Sequence, residues 1–180
     1  MLEGRAAVFL DRDGVINKVV IRDGKPMTLG RPEDLEFLPG VQDALGRLRK
    51  AELALFVVTN QPDVARGLLD VERVNEIHRK MNLSFPFDGI YTCTHDDKDR
   101  CDCRKPKPGL ILKAAREHGI ALASSFMVGD RARDIDAGRA AGCTTFLVQK
   151  PYSGTAQADH AVRDLPEAAR IILECVGGET

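Results

Sequence analysis

The 180-residue sequence predicts an α/β fold: a Rossmann-like, doubly wound parallel sheet with helices on both faces. Three observations carry that expectation. Short, nearly continuous apolar runs such as "LALFVV" (53–58) suit strands buried on both sides. Between such runs lie segments whose apolar residues recur three and four positions apart, the period of an amphipathic helix. The two kinds alternate along the whole chain, which implies parallel pairing through right-handed crossovers.

The elements follow in order. "AAVFL" (6–10) reads as the first strand, and Val41, Ala44, Leu45 and Leu48 mark one face of the first helix. "LALFVV" is the second strand, and Val71, Val74, Ile77 and Met81 give the next helix. "GIYTC" (89–93) is a third strand, and residues 110–119 form a helix ended by Gly119. "SFMV" and "TTFLV" are further strands, with a helix over 135–141 between them. Residues 165–176 close the chain as a helix with Pro166 in its first turn. No repeat or linker interrupts this, so a single domain over 1–180 is expected. Two excursions break the rhythm: "NKVVIRDGKPMTLGRPEDLEFLPG" after the first strand, and the cysteine segment after the third. In a doubly wound sheet, ligands gather at the carboxyl ends of the strands, and long insertions there usually serve function. Neither excursion is long enough for a large cap, so a minimal one is expected.

Composition narrows the partners. Hydrophobic residues make up 43% of the chain and the net charge is -1, which fits a globular core rather than disorder. The near-neutral charge and the lack of tryptophan offer no basic face or stacking platform for nucleic acid. The apolar runs are too short to cross a bilayer, and "MLEGRAAVFLDRDG" has no signal-peptide pattern. A cytoplasmic protein acting as a monomer on a small molecule is therefore expected. Five cysteines, an odd number, argue against a disulfide framework and for a reducing compartment.

Four strand ends carry candidate chemistry. "FLDRDG" sets Asp11 and Asp13 where the first strand stops; "VVTNQ" adds Thr59 and Asn60 at the second. "RKPKPG" brings Arg104 and Lys105, and "MVGDRARD" brings Asp130 and Asp134. Each alone has an ordinary explanation as a cap, turn or strand exit. Together, acid, hydroxyl, cation and acid at successive strand ends suit phosphoryl transfer, with a carboxylate nucleophile, a metal to screen charge, and donors for the phosphoryl oxygens.

The segment from Cys93 to Gly109, "CTHDDKDRCDCRKPKPG", adds a second cluster. Cys93, His95, Cys101 and Cys103 supply three thiolates and an imidazole, a closed tetrahedral set for structural Zn2+ that leaves no position for an activated water. Arg104 and Lys105 follow directly, so pinning Cys103 pins them. His78, His118 and His160 lack ligand neighbours and read as ordinary helix or loop residues, and Cys143 and Cys175 as small apolar side chains.

In their order "DRDG", "TNQ", "RKPKPG" and "GDRARD" resemble the haloacid dehalogenase (HAD) superfamily of phosphatases over nearly the whole chain. The resemblance implies that Asp11 is the nucleophile and that Asp13 is the acid and base. It gives Thr59 and Lys105 to the transferring phosphoryl group, and Mg2+ to Asp11, Asp130 and the main-chain carbonyl of Asp13. Asp134 would orient that cluster from outside it, and Lys107 would be solvated. An acid at Asp13 is what phosphate esters need and carbon-halogen cleavage does not. The zinc loop resembles two branches, the heptose bisphosphate phosphatases and the histidinol-phosphate phosphatases. "TNQPDVARG" resembles the heptose branch, making Arg66 and Arg104, with Asn60 and Arg131, candidates for holding the substrate. The short spacing from His95 to Cys101 and "GDRARD" resemble the histidinol branch. Arg22, Lys25 and Arg31 could close over an anionic substrate. Two readings from other classes are a phospho-accepting receiver and a non-catalytic zinc-stabilised binding module. A receiver, however, carries its modified aspartate on a later strand than its acidic pair.

Overall fold

The computed structural model describes residues 4–22 and 25–177. In chain order it comprises β1 (Ala7–Leu10), β2 (Val20–Arg22), β3 (Lys25–Met27), α1 (Val41–Lys50), β4 (Ala54–Asn60), α2 (Val71–Ser84) and β5 (Gly89–Cys93). Then come α3 (Gly109–His118), β6 (Phe126–Gly129), α4 (Ala132–Ala141), β7 (Thr144–Val148), β8 (His160–Val162) and α5 (Leu165–Gly177). Six strands form one sheet in the order β5-β4-β1-β6-β7-β8, every pairing parallel. The order reverses beside β1, so a crevice opens at its carboxyl end, between chain excursions leaving in opposite directions.

Alternation along each strand splits the core into two layers. Val8, Leu10, Leu55, Val57, Phe126 and Val128 face α1 and α5, which supply Leu45, Leu48, Leu165 and Ile172. Ala7, Phe9, Phe56, Val58 and Met127 face the opposite side, against Leu110, Ile111 and Ala114 of α3 and Ala137 of α4. Both faces of the central strands β1, β4 and β6 are dry, which explains the unbroken apolar runs.

The structure adds two features to the sequence reading. β8 extends the sheet past β7, and its three residues are too few to show a period. The first excursion contains an antiparallel pair, β2 with β3. Its Val19, Met27 and Thr28 form one wall of the crevice, so the cap is small. The side chains of Arg22 and Lys25 lie outside the described residues. Arg31 does not close over the crevice; it makes a bidentate pair with Asp34, at 2.9 and 2.8 Å. Among the described residues no helix is long and apolar enough to cross a membrane.

Candidate active site

The crevice is assembled from the strand ends. Asp11 N–H donates to the Val128 carbonyl at 2.9 Å, carrying the β1–β6 ladder one residue beyond β1 and fixing where the Asp11 carboxylate begins. The chain then turns through Gly14, at φ +88°, a conformation suited to glycine. A β-carbon at Gly14 would lie 2.1 Å from Asp130 Oδ2, so the close approach of β1's exit to Asp130 also needs glycine. Asp130 follows β6, and Asp134 sits in the first turn of α4, where its Oδ2 accepts from the Arg131 N–H at 3.0 Å.

Asp11, Asp130 and Asp134 present carboxylate oxygens within 4.8 Å of one another. Lys105 enters this cluster as its internal counter-charge. Its Nζ lies 2.7 Å from Asp11 Oδ1, 2.6 Å from Asp134 Oδ1 and 2.8 Å from the Val58 carbonyl, with only 2% of the residue exposed. Burial alone would discharge the lysine, but the two carboxylates outweigh it and hold the ammonium on. One cation cannot balance three buried acids. Burial, then repulsion from its neighbours, pushes Asp130 up to about 8 and Asp11 up to about 6. Asp130 Oδ2 accepts from the Tyr152 hydroxyl at 2.8 Å, while its buried Oδ1 has no hydrogen-bond partner and is 3.9 Å from Arg131 Nε. An orphaned buried oxygen beside two more carboxylates fits a hard divalent cation with oxygen ligands.

Asp13 lines the same crevice but has a different set of partners. Its Oδ1 accepts from Arg12 Nε at 3.2 Å and Asn17 Nδ2 at 3.0 Å, and its Oδ2 from Arg12 at 2.8 Å and Gln61 Nε2 at 3.0 Å. Burial would raise its pKa, but the Arg12 guanidinium and the two amides outweigh burial and hold it below the usual carboxylate range. Gln61 also donates to Thr59 Oγ1 at 2.8 Å, tying the hydroxyl residue to the same network.

The remaining sequence candidates divide. Thr59, Asn60, Arg66, Arg104 and Arg131 all line the crevice with Asp11, Asp13, Lys105 and Asp134. Asn60, however, clamps the Lys105 backbone at both ends of its amide, accepting from the N–H at 3.1 Å and donating to the carbonyl at 3.0 Å. Asn60 thereby positions Lys105. Arg66 holds Asp96 through two bonds of 2.9 Å, and Arg104 holds Asp97 at 2.7 Å, so both cations reach the rim already paired. Lys107, as expected, is half-exposed and paired with Asp102 at 3.0 Å.

Beside the rim, Cys93, His95, Cys101 and Cys103 converge. Sulfur–sulfur separations are 3.0, 3.5 and 3.7 Å, and His95 Nδ1 lies 3.3 Å from Cys103 and 3.7 Å from Cys93. Tetrahedral zinc with bonds of about 2.3 Å to sulfur sets ligands a little under 4 Å apart, so this set fits it. Burial works against ionisation of Cys101, but the Arg104 N–H and neighbouring sulfurs outweigh it and bring the thiol down to about 7.

A D-glycero-beta-D-manno-heptose-1,7-bisphosphate 7-phosphatase of Bordetella bronchiseptica is 37% identical over 169 residues, covering 91% of this chain and 90% of its own. The chain belongs to the HAD phosphatase family. A relative of the same name from Helicobacter pylori strain J99 is 42% identical over 144 residues, covering 77% of this chain and 79% of that one. A HAD-hydrolase-like family profile matches residues 102–173. The crystal structure of the D,D-heptose 1,7-bisphosphate phosphatase from B. bronchiseptica, complexed with magnesium and phosphate, superposes with a TM-score of 0.82 at 34% identity. It covers 94% of this chain and 98% of that chain.

Several groups around this HAD crevice carry no signal of their own in the sequence. Arg12 sits inside "DRDG" yet is wholly buried, and Gln61 inside "TNQ" is likewise buried. Tyr152 comes from the loop after β7, and Arg133 lines the crevice from α4. A basic residue in "GDRARD" was the available hint for Arg133.

Proposed function

We propose that this protein is a magnesium-dependent phosphatase that removes the 7-phosphate of D-glycero-D-manno-heptose 1,7-bisphosphate through an aspartyl-phosphate on Asp11. The observation that carries the proposal is the buried Asp11–Lys105–Asp134 array, beside an under-neutralised Asp130, at the floor of a crevice rimmed by arginines. The names of the relatives supply the substrate, and a rim holding Arg66, Arg104, Arg131 and Arg133 suits a second phosphate.

In this reading Asp11 and Asp130, with the main-chain carbonyl of Asp13, hold Mg2+, which when bound screens repulsion between the nucleophile and the phosphoryl oxygens. Lys105 pairs with Asp11 and, with the Thr59 hydroxyl, holds the equatorial phosphoryl oxygens. An Asp11 oxygen attacks phosphorus; the bond from phosphorus to the ester oxygen breaks, and its electron pair leaves on that oxygen. Asp13 gives the leaving oxygen a proton, and the negative charge of bound phosphate raises its proton affinity for that task. Water then attacks phosphorus, passes a proton to Asp13, and releases phosphate with Asp11 restored. Zn2+ on Cys93, His95, Cys101 and Cys103 would fix the loop that delivers Arg104 and Lys105. We extend the proposal to one catalytic domain working as a cytoplasmic monomer.

The test is a magnesium-supplemented panel of both heptose bisphosphate anomers, histidinol phosphate and nucleotides. Highest kcat/KM for a heptose bisphosphate is expected. Preference for histidinol phosphate, the outcome favoured by the short His95–Cys101 spacing, would move the assignment to that branch.

A further inference from the structure

We propose that His78, on α2 and outside the catalytic crevice, is a positioning residue that sets the aim of Asp13 through Arg12. The inference rests on the phosphatase reading above. Arg12 is wholly buried, and three of its nitrogens are used. Nε and one terminal nitrogen grip the two oxygens of Asp13 at 3.2 and 2.8 Å, and the other terminal nitrogen meets His78 Nε2 at 3.1 Å. Arginine has no acceptor, so Nε2 must accept the hydrogen bond and the imidazole proton sits on Nδ1. His78 is therefore neutral, consistent with a pKa pushed down to about 3 by burial and by the adjacent guanidinium.

A bidentate pair fixes the plane of a carboxylate only if the guanidinium itself cannot turn. Here the free corner of the fork is tied to an imidazole on α2, whose Val74, Ile77 and Met81 anchor it in the core. The chain of contacts runs from α2 through His78 and Arg12 to both oxygens of Asp13. His78 does not line the crevice; its other side faces a separate open groove with Asn75, Arg79 and Phe87. It cannot touch substrate, so any influence on the reaction passes through Asp13. That makes its signature specific. Asp13 protonates the leaving oxygen, so a misaimed Asp13 harms esters with basic leaving groups far more than esters whose leaving group departs unprotonated.

The experiment compares kcat/KM for phenyl phosphate and p-nitrophenyl phosphate, with magnesium, in the parental protein and in His78→Leu, His78→Gln and Arg12→Lys. For His78→Leu, phenyl phosphate turnover should fall about tenfold and p-nitrophenyl phosphate turnover less than about threefold, a steeper leaving-group dependence. His78→Gln, whose amide oxygen can accept from Arg12, should restore most of the loss. If His78→Leu fails to fold, Arg12→Lys carries the same comparison, because a lysine keeps the charge but cannot bridge Asp13 and His78. An active parental protein whose folded variants lose both substrates by one common factor, or lose nothing, overturns the role of His78. A parental protein inert to both esters and to every phosphate ester of the panel above overturns the phosphatase reading and this inference together.

Discussion

Two clusters of metal-binding character lie among the described residues, and they are built in opposite ways. The thiolate cluster draws all four ligands from the eleven positions between Cys93 and Cys103, and its ligand atoms face one another. The carboxylate cluster draws Asp11 from β1's end, and Asp130 and Asp134 from β6's end and α4. It already contains a cation, Lys105, and still leaves Asp130 Oδ1 without a hydrogen bond. A closed, local set suits an ion that holds a loop together; an open, charge-deficient set on a cavity suits an ion that meets substrate. The two are joined by sequence, since Cys103 is followed directly by Arg104 and Lys105, and Asn60 clamps the Lys105 backbone from β4. On the proposed reading the comparison teaches that one cluster serves the other: the loop would supply position, the crevice reactivity.

The sharpest way to break that division is at Asp11. Asp11→Asn should lower kcat by about 10⁴-fold or more, with the thermal midpoint kept or raised, because the nucleophile is lost while a buried charge is removed. Replacing Cys101 and Cys103 with serine together should cost less activity, about 10- to 100-fold, but should lower the thermal midpoint markedly. The opposite pattern, full activity from a chain with a loosened loop, would show that the loop does not place Lys105. The smallest effect concerns pH in magnesium-free buffer. Asp130 is held up at about 8 and Asp11 at about 6, above the 3.8 of an ordinary aspartate. For an acid raised in the folded state, unfolding releases protons, so stability falls as pH rises through that range. The melting temperature should therefore drop between pH 6 and pH 8, by an amount equivalent to about 1–2 kcal/mol. Asp130→Asn should flatten the drop, and saturating magnesium should oppose it.

The same contrast explains what could be read from the sequence. The zinc-type ligands were legible as spacing, because a local cluster writes its geometry into the chain. Asp11, Thr59, Lys105 and Asp130 were legible only in combination, since their meeting depends on the parallel order of β4, β1 and β6. The strands and helices with long apolar periods were plain, whereas β8 and the β2–β3 pair, at three residues each, were too short to show a period. Contacts that join distant segments stayed hidden. His78 read as an ordinary helix residue because nothing at position 78 announces Arg12, and Tyr152 carried no motif to link it to Asp130. Arg66 and Arg104 were visible as cations at the rim, but their pairing with Asp96 and Asp97 depends on how the cysteine loop folds back.

The central claim is that Asp11, paired with Lys105 in the carboxylate crevice, takes the phosphoryl group. Rapid quench of the working enzyme with substrate, borohydride reduction of any acyl phosphate, and peptide mass mapping test it most directly. The account predicts homoserine at position 11 and unmodified aspartate at positions 13, 130 and 134. Reduction product at one of those other positions, or none anywhere while turnover proceeds through a demonstrated phosphoenzyme, would contradict it.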